Sequence, residues 1–169
     1  MKLEDQVCSL EYAKKLKELG IEKESLFIYF EQSWIIQGNE VLETRSFIRI
    51  NDFTTFIDDS MKTFSAYTAG ELLRLIPNGL ALNHGEPFNS FRFNLAKSVK
   101  VEQTSPITLK AIYLPNYFCD TMNPESPNPW FTQTLIPNCW DENCANALAK
   151  ALIYLLENNL ITKEHINAL

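Results

Sequence analysis

No stretch of this sequence carries the 18 or more consecutive apolar residues that a membrane-spanning helix needs. The opening "MKLEDQVCSLEYAKKLKELG" has no apolar central region and no small-residue cleavage site, so it does not read as a signal peptide. The expected location is the cytoplasm, with no membrane association. Basic residues are also short: 15 Lys and Arg stand against 21 Asp and Glu, a formal net charge of -6. That balance argues against general nucleic-acid binding, which relies on a basic surface to neutralise phosphates.

Catalytic and cofactor motifs are missing as well. There is no GxSxG, no P-loop and no GxGxxG. Histidine is scarce, with only His84 and His165. The four cysteines, Cys8, Cys119, Cys139 and Cys144, include no CxxC pair, and no HExxH is present. Structural zinc sites usually take two close-spaced ligand pairs, so neither a metal site nor a cofactor is expected. In a reducing cytoplasm the cysteines are thiols. A Cys119–His84 pair is the one nucleophile–base combination the sequence offers. Asp58 and Asp59 are adjacent, read as a solvated turn, and form no paired-carboxylate signature.

What is present is amphipathic patterning. Residues 9–20 predict a helix with Ser9 as N-cap, an apolar face of Tyr12, Ala13, Leu16 and Leu19, and Gly20 as a left-handed stop. Leu26 to Phe30 and Phe47 to Ile50 are rich in β-branched and aromatic residues and read as strands, with a turn at "QGNE". "NDFTTFIDD" reads as a loop. "TAGELLRLIPNG" is a short helix with Thr68 and Glu71 as a capping box and Ala69, Leu72, Leu73 and Ile76 as its buried face. Residues 88–114 predict two or three strands. "DENCANALAKALIYLLENN" gives the strongest periodicity, with Ala145, Leu148, Ala149, Leu152, Leu155 and Leu156 on one stripe and Asn158 or Asn159 at its end. "TKEHINAL" adds a short tail helix. The expected fold is a single α+β domain over residues 1–169. It has a mainly antiparallel sheet with an N-terminal helix, a short middle helix and a long C-terminal helix packed on it.

The segment "CDTMNPESPNPWFTQTLIPNCW" is the least ordinary. Residues 130–135 or 136 alternate and predict a further strand, preceded by a loop stiffened by Pro124, Pro127 and Pro129. Long loops that are not linkers tend to carry function. Residues 116–128 are therefore the candidate binding loop, with Tyr117, Phe118 and Met122, and with Trp130 at its far end. A second candidate is anion-facing. Between Arg92 and Lys110 the charges are Arg92, Lys97, Lys100 and Lys110 against Glu102 alone, and Arg92, Lys97 and Lys100 are the proposed contacts.

Three segments carry a resemblance: "VCSLEYAKKLKELGIEKES", "FSAYTAGELLRLIPNG" and "ANALAKALIYLLENNLI". Their order and spacing resemble a group of small proteins encoded by phages, prophages and other bacterial mobile elements. The matching residues are caps and buried faces, over about a third of the chain. The resemblance implies an origin in such an element. It transfers no activity and no catalytic residue.

The expected function is a non-enzymatic interaction module that binds a protein partner, such as a host or defence protein. The alternatives are a small-molecule or nucleotide-binding, sponge-like protein using Arg92, Lys97 or Lys100, and a cysteine-dependent enzyme using Cys119 and His84.

Overall fold

Alanine and leucine dominate the sequence from Cys144 to Glu157, and both favour helix, so this stretch forms helix α3 (Cys144–Glu157). In the computed structural model α3 is the centre of the core. Ala145, Ala147, Leu148, Ala149, Ala151, Leu152 and Leu155 are all buried. Asn143 caps its start, the side chain accepting a hydrogen bond from the Asn146 N–H. Its end is closed by Asn159, at φ 54°, the left-handed conformation that asparagine tolerates. The structure describes residues 2–35, 41–51, 61–82, 89–102, 108–122, 130–137 and 139–169. Within these, side chains are described except at 33–35, 41–44, 81–82, 89–91, 101, 108–109, 117–122 and 130–134.

Helix α1 (Leu10–Glu18) follows a 3₁₀ turn at Leu3–Asp5. Ser9 occupies the cap position, but its side chain makes no capping bond. Its own N–H donates instead to Asn146 Oδ1 on α3, at 2.7 Å. The far end of α1 has the paired bonds of a glycine-terminated helix: Ile21 N–H to Leu16 O at 3.1 Å and Gly20 N–H to Lys17 O at 2.9 Å. Gly20 sits at φ 84°, where a Cβ would be strained. Ile21 and Leu16 are both buried, supplying the apolar contact that accompanies this ending.

Helix α2 (Ala69–Leu75) has the capping box expected from Thr68 and Glu71. Its buried face differs from expectation by one residue. Leu72, Leu75 and Ile76 are buried and Leu73 is exposed. Leu72, Leu75 and Ile76 follow i, i+3, i+4 spacing, whereas Leu73 is turned about 100° away from Leu72. The tail helix α4 (Lys163–Ala168) is capped by Thr162 and buries Ile166.

The strands form two antiparallel sheets. The first has the order β2–β1–β3, from β1 (Phe27–Ile35), β2 (Val41–Ile50) and β3 (Met61–Ser65). The expected turn at 37–40 and the loop with Asp58 and Asp59 lie outside the described residues. The second has the order β4–β5–β6–β7, from β4 (Gly79–Leu82), β5 (Asn89–Glu102), β6 (Thr108–Met122) and β7 (Trp130–Thr134). Tyr29 on β1 and Tyr67 after β3 are buried in the same cluster as Val7, Cys8, Leu16, Leu72, Leu148, Leu152 and Leu155. Burying a leucine side chain fully is worth about 1.5–3 kcal/mol relative to leaving it in water, so this cluster is the main source of stability.

Candidate functional site: the outer face of the β4–β7 sheet

Strands β5 and β6 are 14 and 15 residues long and pair without a register break from Arg92↔Phe118 to Glu102↔Thr108. Side chains alternate between faces along a strand. On β5, Phe93 and Leu95 pack against the core, and on β6 Pro115, opposite Leu95, is buried. The intervening residues Arg92, Asn94 and Ser98 are exposed on the other face. Among the described residues, the main helical contact with this sheet comes from α3 on β6.

The register places the sequence-predicted residues as follows. Residues 116–122 are strand, not loop, because β6 runs on to Met122, pairing with β5 up to Phe118 and with β7 from Phe118 to Met122. The rest of the expected loop, 123–129, lies outside the described residues. Phe118 is opposite Arg92, and Met122 is opposite Trp130. Phe118, Met122 and Trp130 therefore occupy positions of the same parity as Arg92, Asn94 and Lys100, whereas Tyr117, opposite Phe93, has the other parity. The side chains of these four aromatic and methionine residues are outside those described.

Pro115 shows how β6 accepts a proline. Tyr113 N–H donates to Asp141 O at 2.8 Å, so odd-numbered backbone groups of β6 point away from β5. Strand β7 pairs only with residues 118–122, leaving the missing N–H of Pro115 on an unladdered stretch. Beside it, the Ile136 N–H donates to Asn116 Oδ1 at 3.1 Å and turns the chain out of β7.

The basic residues are not one cluster. Arg92 and Lys100 share a face, and Lys97 lies on the opposite one, over the Tyr113 ring at 5.7 Å. Lys100 stands over the Trp140 ring at 4.6 Å and 3.7 Å from Glu102. Lys110 lies between Glu142 (3.1 Å) and Glu102 (3.3 Å). Hydrogen bonds from Lys110 to Glu142 and then to Glu102 raise its pKa. Two of the lysines that made this strand look anion-facing thus already face carboxylates.

The thiols that are described are held protonated. Burial pushes Cys8 up to about 12 and Cys139 up to about 11, and burial also raises Cys144. A thiol is nucleophilic as its thiolate, so these three are poor nucleophiles at neutral pH. His84 and the Cys119 side chain lie outside the description. No group of three or more His, Cys, Asp and Glu able to hold a metal ion occurs among the described residues.

A half-open groove of about 390 Å³ lies elsewhere, between the end of α1 and β3. Its polar groups largely satisfy one another. Lys17 Nζ donates to Thr63 O at 2.8 Å, and Tyr67 Oη and Ser65 Oγ donate to Lys23 O at 2.6 and 3.1 Å. None of Arg92, Lys97 and Lys100 lines it.

Two positioning groups, Asn143 and Asn146, escaped the sequence reading. Asn143 Nδ2 donates to the carbonyls of Asp5 and Val7, both at 3.2 Å, and Asn146 holds Ser9, so the chain start is pinned to the start of α3. Asp141, just before the helix, accepts from Lys150 Nζ at 2.6 Å. The cap signal of Asn143 was visible in "DENCAN", but its reach to residues 5–9 was not.

This is an α+β arrangement of two antiparallel sheets and helices. Compared with known protein families, characterised proteins and solved structures, the chain shows no match. Among the described residues, no helix is long and apolar enough to cross a membrane.

Proposed function

We propose that this chain is a non-enzymatic interaction module that binds a protein partner through the outer face of the β4–β7 sheet. The observation that carries the reading is that register. It sets Arg92, Asn94 and Lys100 on the same face as the positions of Phe118, Met122 and Trp130, and the helix packed on this sheet contacts it from the core side. Arginine and aromatic residues are enriched in protein-binding patches, and exposed Arg92 stands on this face. Trp140, 37% exposed, extends that surface beside Lys100. A cytoplasmic setting in a phage or mobile element, with a host or defence protein as partner, belongs to the same proposal and follows the resemblance of the three helical segments.

Native mass spectrometry of the chain purified gently from producing cells tests it. The expected spectrum contains the chain bound to a second protein, and Arg92→Glu with Lys100→Glu removes that species. A chain retaining only a small organic ligand, unaffected by those substitutions, would favour the small-molecule alternative and sink this one.

A further inference from the structure

The partner's mode of attachment can be read from the edge of β5, and this inference rests on the interaction-module reading. Strand β4 pairs with β5 only at residues 89–92, and Phe93 N–H then donates to Asn78 O. Backbone groups on a strand alternate sides, so odd-numbered residues of β5 point away from β6 and even-numbered ones pair with it. From Leu95 to Val101 no described strand lies against that edge. The N–H and C=O groups of Leu95, Lys97, Val99 and Val101 therefore face outward. The stretch is seven residues, about 23 Å at roughly 3.3 Å per residue.

An open edge of this length is a template for another strand. Its side chains say which. Lys97 is exposed and, among the described residues, meets no carboxylate, only the Tyr113 ring. Val99, two residues on and on the same face, is 58% exposed. Lys100 and Ser98 flank them on the other face. We infer that residues 95–101 accept an extended acidic peptide from the partner as an added strand, with a carboxylate beside Lys97 and an apolar side chain beside Val99. Self-pairing of two copies would bring two sets of Lys97 and Lys100 into one ribbon, and like charges across strands are unfavourable.

The test uses the full chain and a synthetic peptide, acetyl-Thr-Glu-Val-Thr-Glu-Thr-Thr-amide, whose Val and second Glu are two residues apart and so fall on one face, opposite Val99 and Lys97 in an antiparallel pairing, followed by amide NMR. The expected result is saturable binding that slows hydrogen exchange at Lys97 and Val99 at least tenfold. The same peptide N-methylated at alternate residues keeps its charge and does not bind. Lys97→Glu weakens binding at least tenfold. Val99→Pro removes an outward N–H without breaking the β5–β6 ladder, so it abolishes binding while leaving the melting temperature close to wild type. Three results overturn the inference: no binding at millimolar peptide, equal binding of the N-methylated peptide, or exchange at Lys97 and Val99 slowed by chain concentration alone, which would mean a second copy occupies the edge. A peptide that instead shifts Asn94 and Lys100 without protecting the edge amides overturns edge pairing but leaves the outer face as the binding surface. The interaction-module reading itself stands or falls separately, on the species seen by native mass spectrometry.

Discussion

Replacing Glu71 by alanine should destabilise the fold measurably. Its carboxylate accepts four hydrogen bonds. Thr68 N–H and Thr68 Oγ1 donate to Oε2 at 2.7 and 2.8 Å, Ser25 Oγ donates to Oε2 at 3.1 Å, and Leu26 N–H donates to Oε1 at 2.8 Å. One carboxylate thus closes the start of α2 and ties it to the chain entering β1. Loss of the cap costs about 1 kcal/mol, and loss of the charge-assisted bond from Leu26 about 1 kcal/mol more after discounting for its exposure. Ser25 Oγ keeps a second acceptor in Ala66 O at 3.0 Å, so it adds little. The total, about 2 kcal/mol, lowers the melting temperature of a domain this size by about 4–8 °C. Burial alone would raise the Glu71 pKa, but the bonds from Leu26, Thr68 and Ser25 outweigh it and the pKa is lowered. The unfolded chain then binds more protons than the folded one in this range, so stability rises with pH. The contribution is fully present above the ordinary carboxylate pKa and is lost as pH falls through the lower folded value. Thermal unfolding of wild type and Glu71→Ala between pH 3 and 7 measures this. A gap that is constant across that range, or smaller than about 1 °C at pH 7, would refute the reasoning.

Asn143→Asp keeps the acceptor that caps α3 but loses the Nδ2–H donors to the Asp5 and Val7 carbonyls. Amide exchange should quicken at residues 5–9 while α3 stays protected, whereas Asn143→Ala should also destabilise the whole chain by about 1 kcal/mol in denaturant titration. Leu152→Ala, at a fully buried site on α3, should cost about 2–5 kcal/mol by the same titration. With iodoacetamide at pH 8, Cys8, at about 12 and buried, should stay unmodified in the native chain and react once it is unfolded, as read by peptide mass mapping.

The helices were legible because their signals are local. The Thr68–Glu71 box, Gly20 and the Ala/Leu stripe of α3 each depend on residues within one or two turns. Even there, Leu73 was misplaced for Leu75, since α2 has only seven residues and its facing partner, α3, decides which leucines turn inward. The strands were legible as material but not as partners. Nothing local distinguishes residues 116–122 as the end of a 15-residue strand from a loop, because Pro115 argues for a break and only the shortness of β7 shows why it is tolerated. The grouping of Arg92, Lys97 and Lys100 failed on parity alone: an offset of five residues reverses the face, while an offset of eight preserves it. The tethers from Asn143, Asn146 and Glu71 span 45 to 138 residues in sequence and are invisible to any periodic pattern.

Site-specific photo-cross-linking in producing cells asks whether the outer face of the β4–β7 sheet is the surface that meets a partner. A photo-reactive residue at Asn94, exposed on the outer face of β5, is compared with one at Glu18, exposed on α1. A discrete protein adduct is expected from position 94, absent from position 18 and suppressed by Lys100→Glu. The same adduct from both positions, or an adduct from position 18 alone, would contradict it.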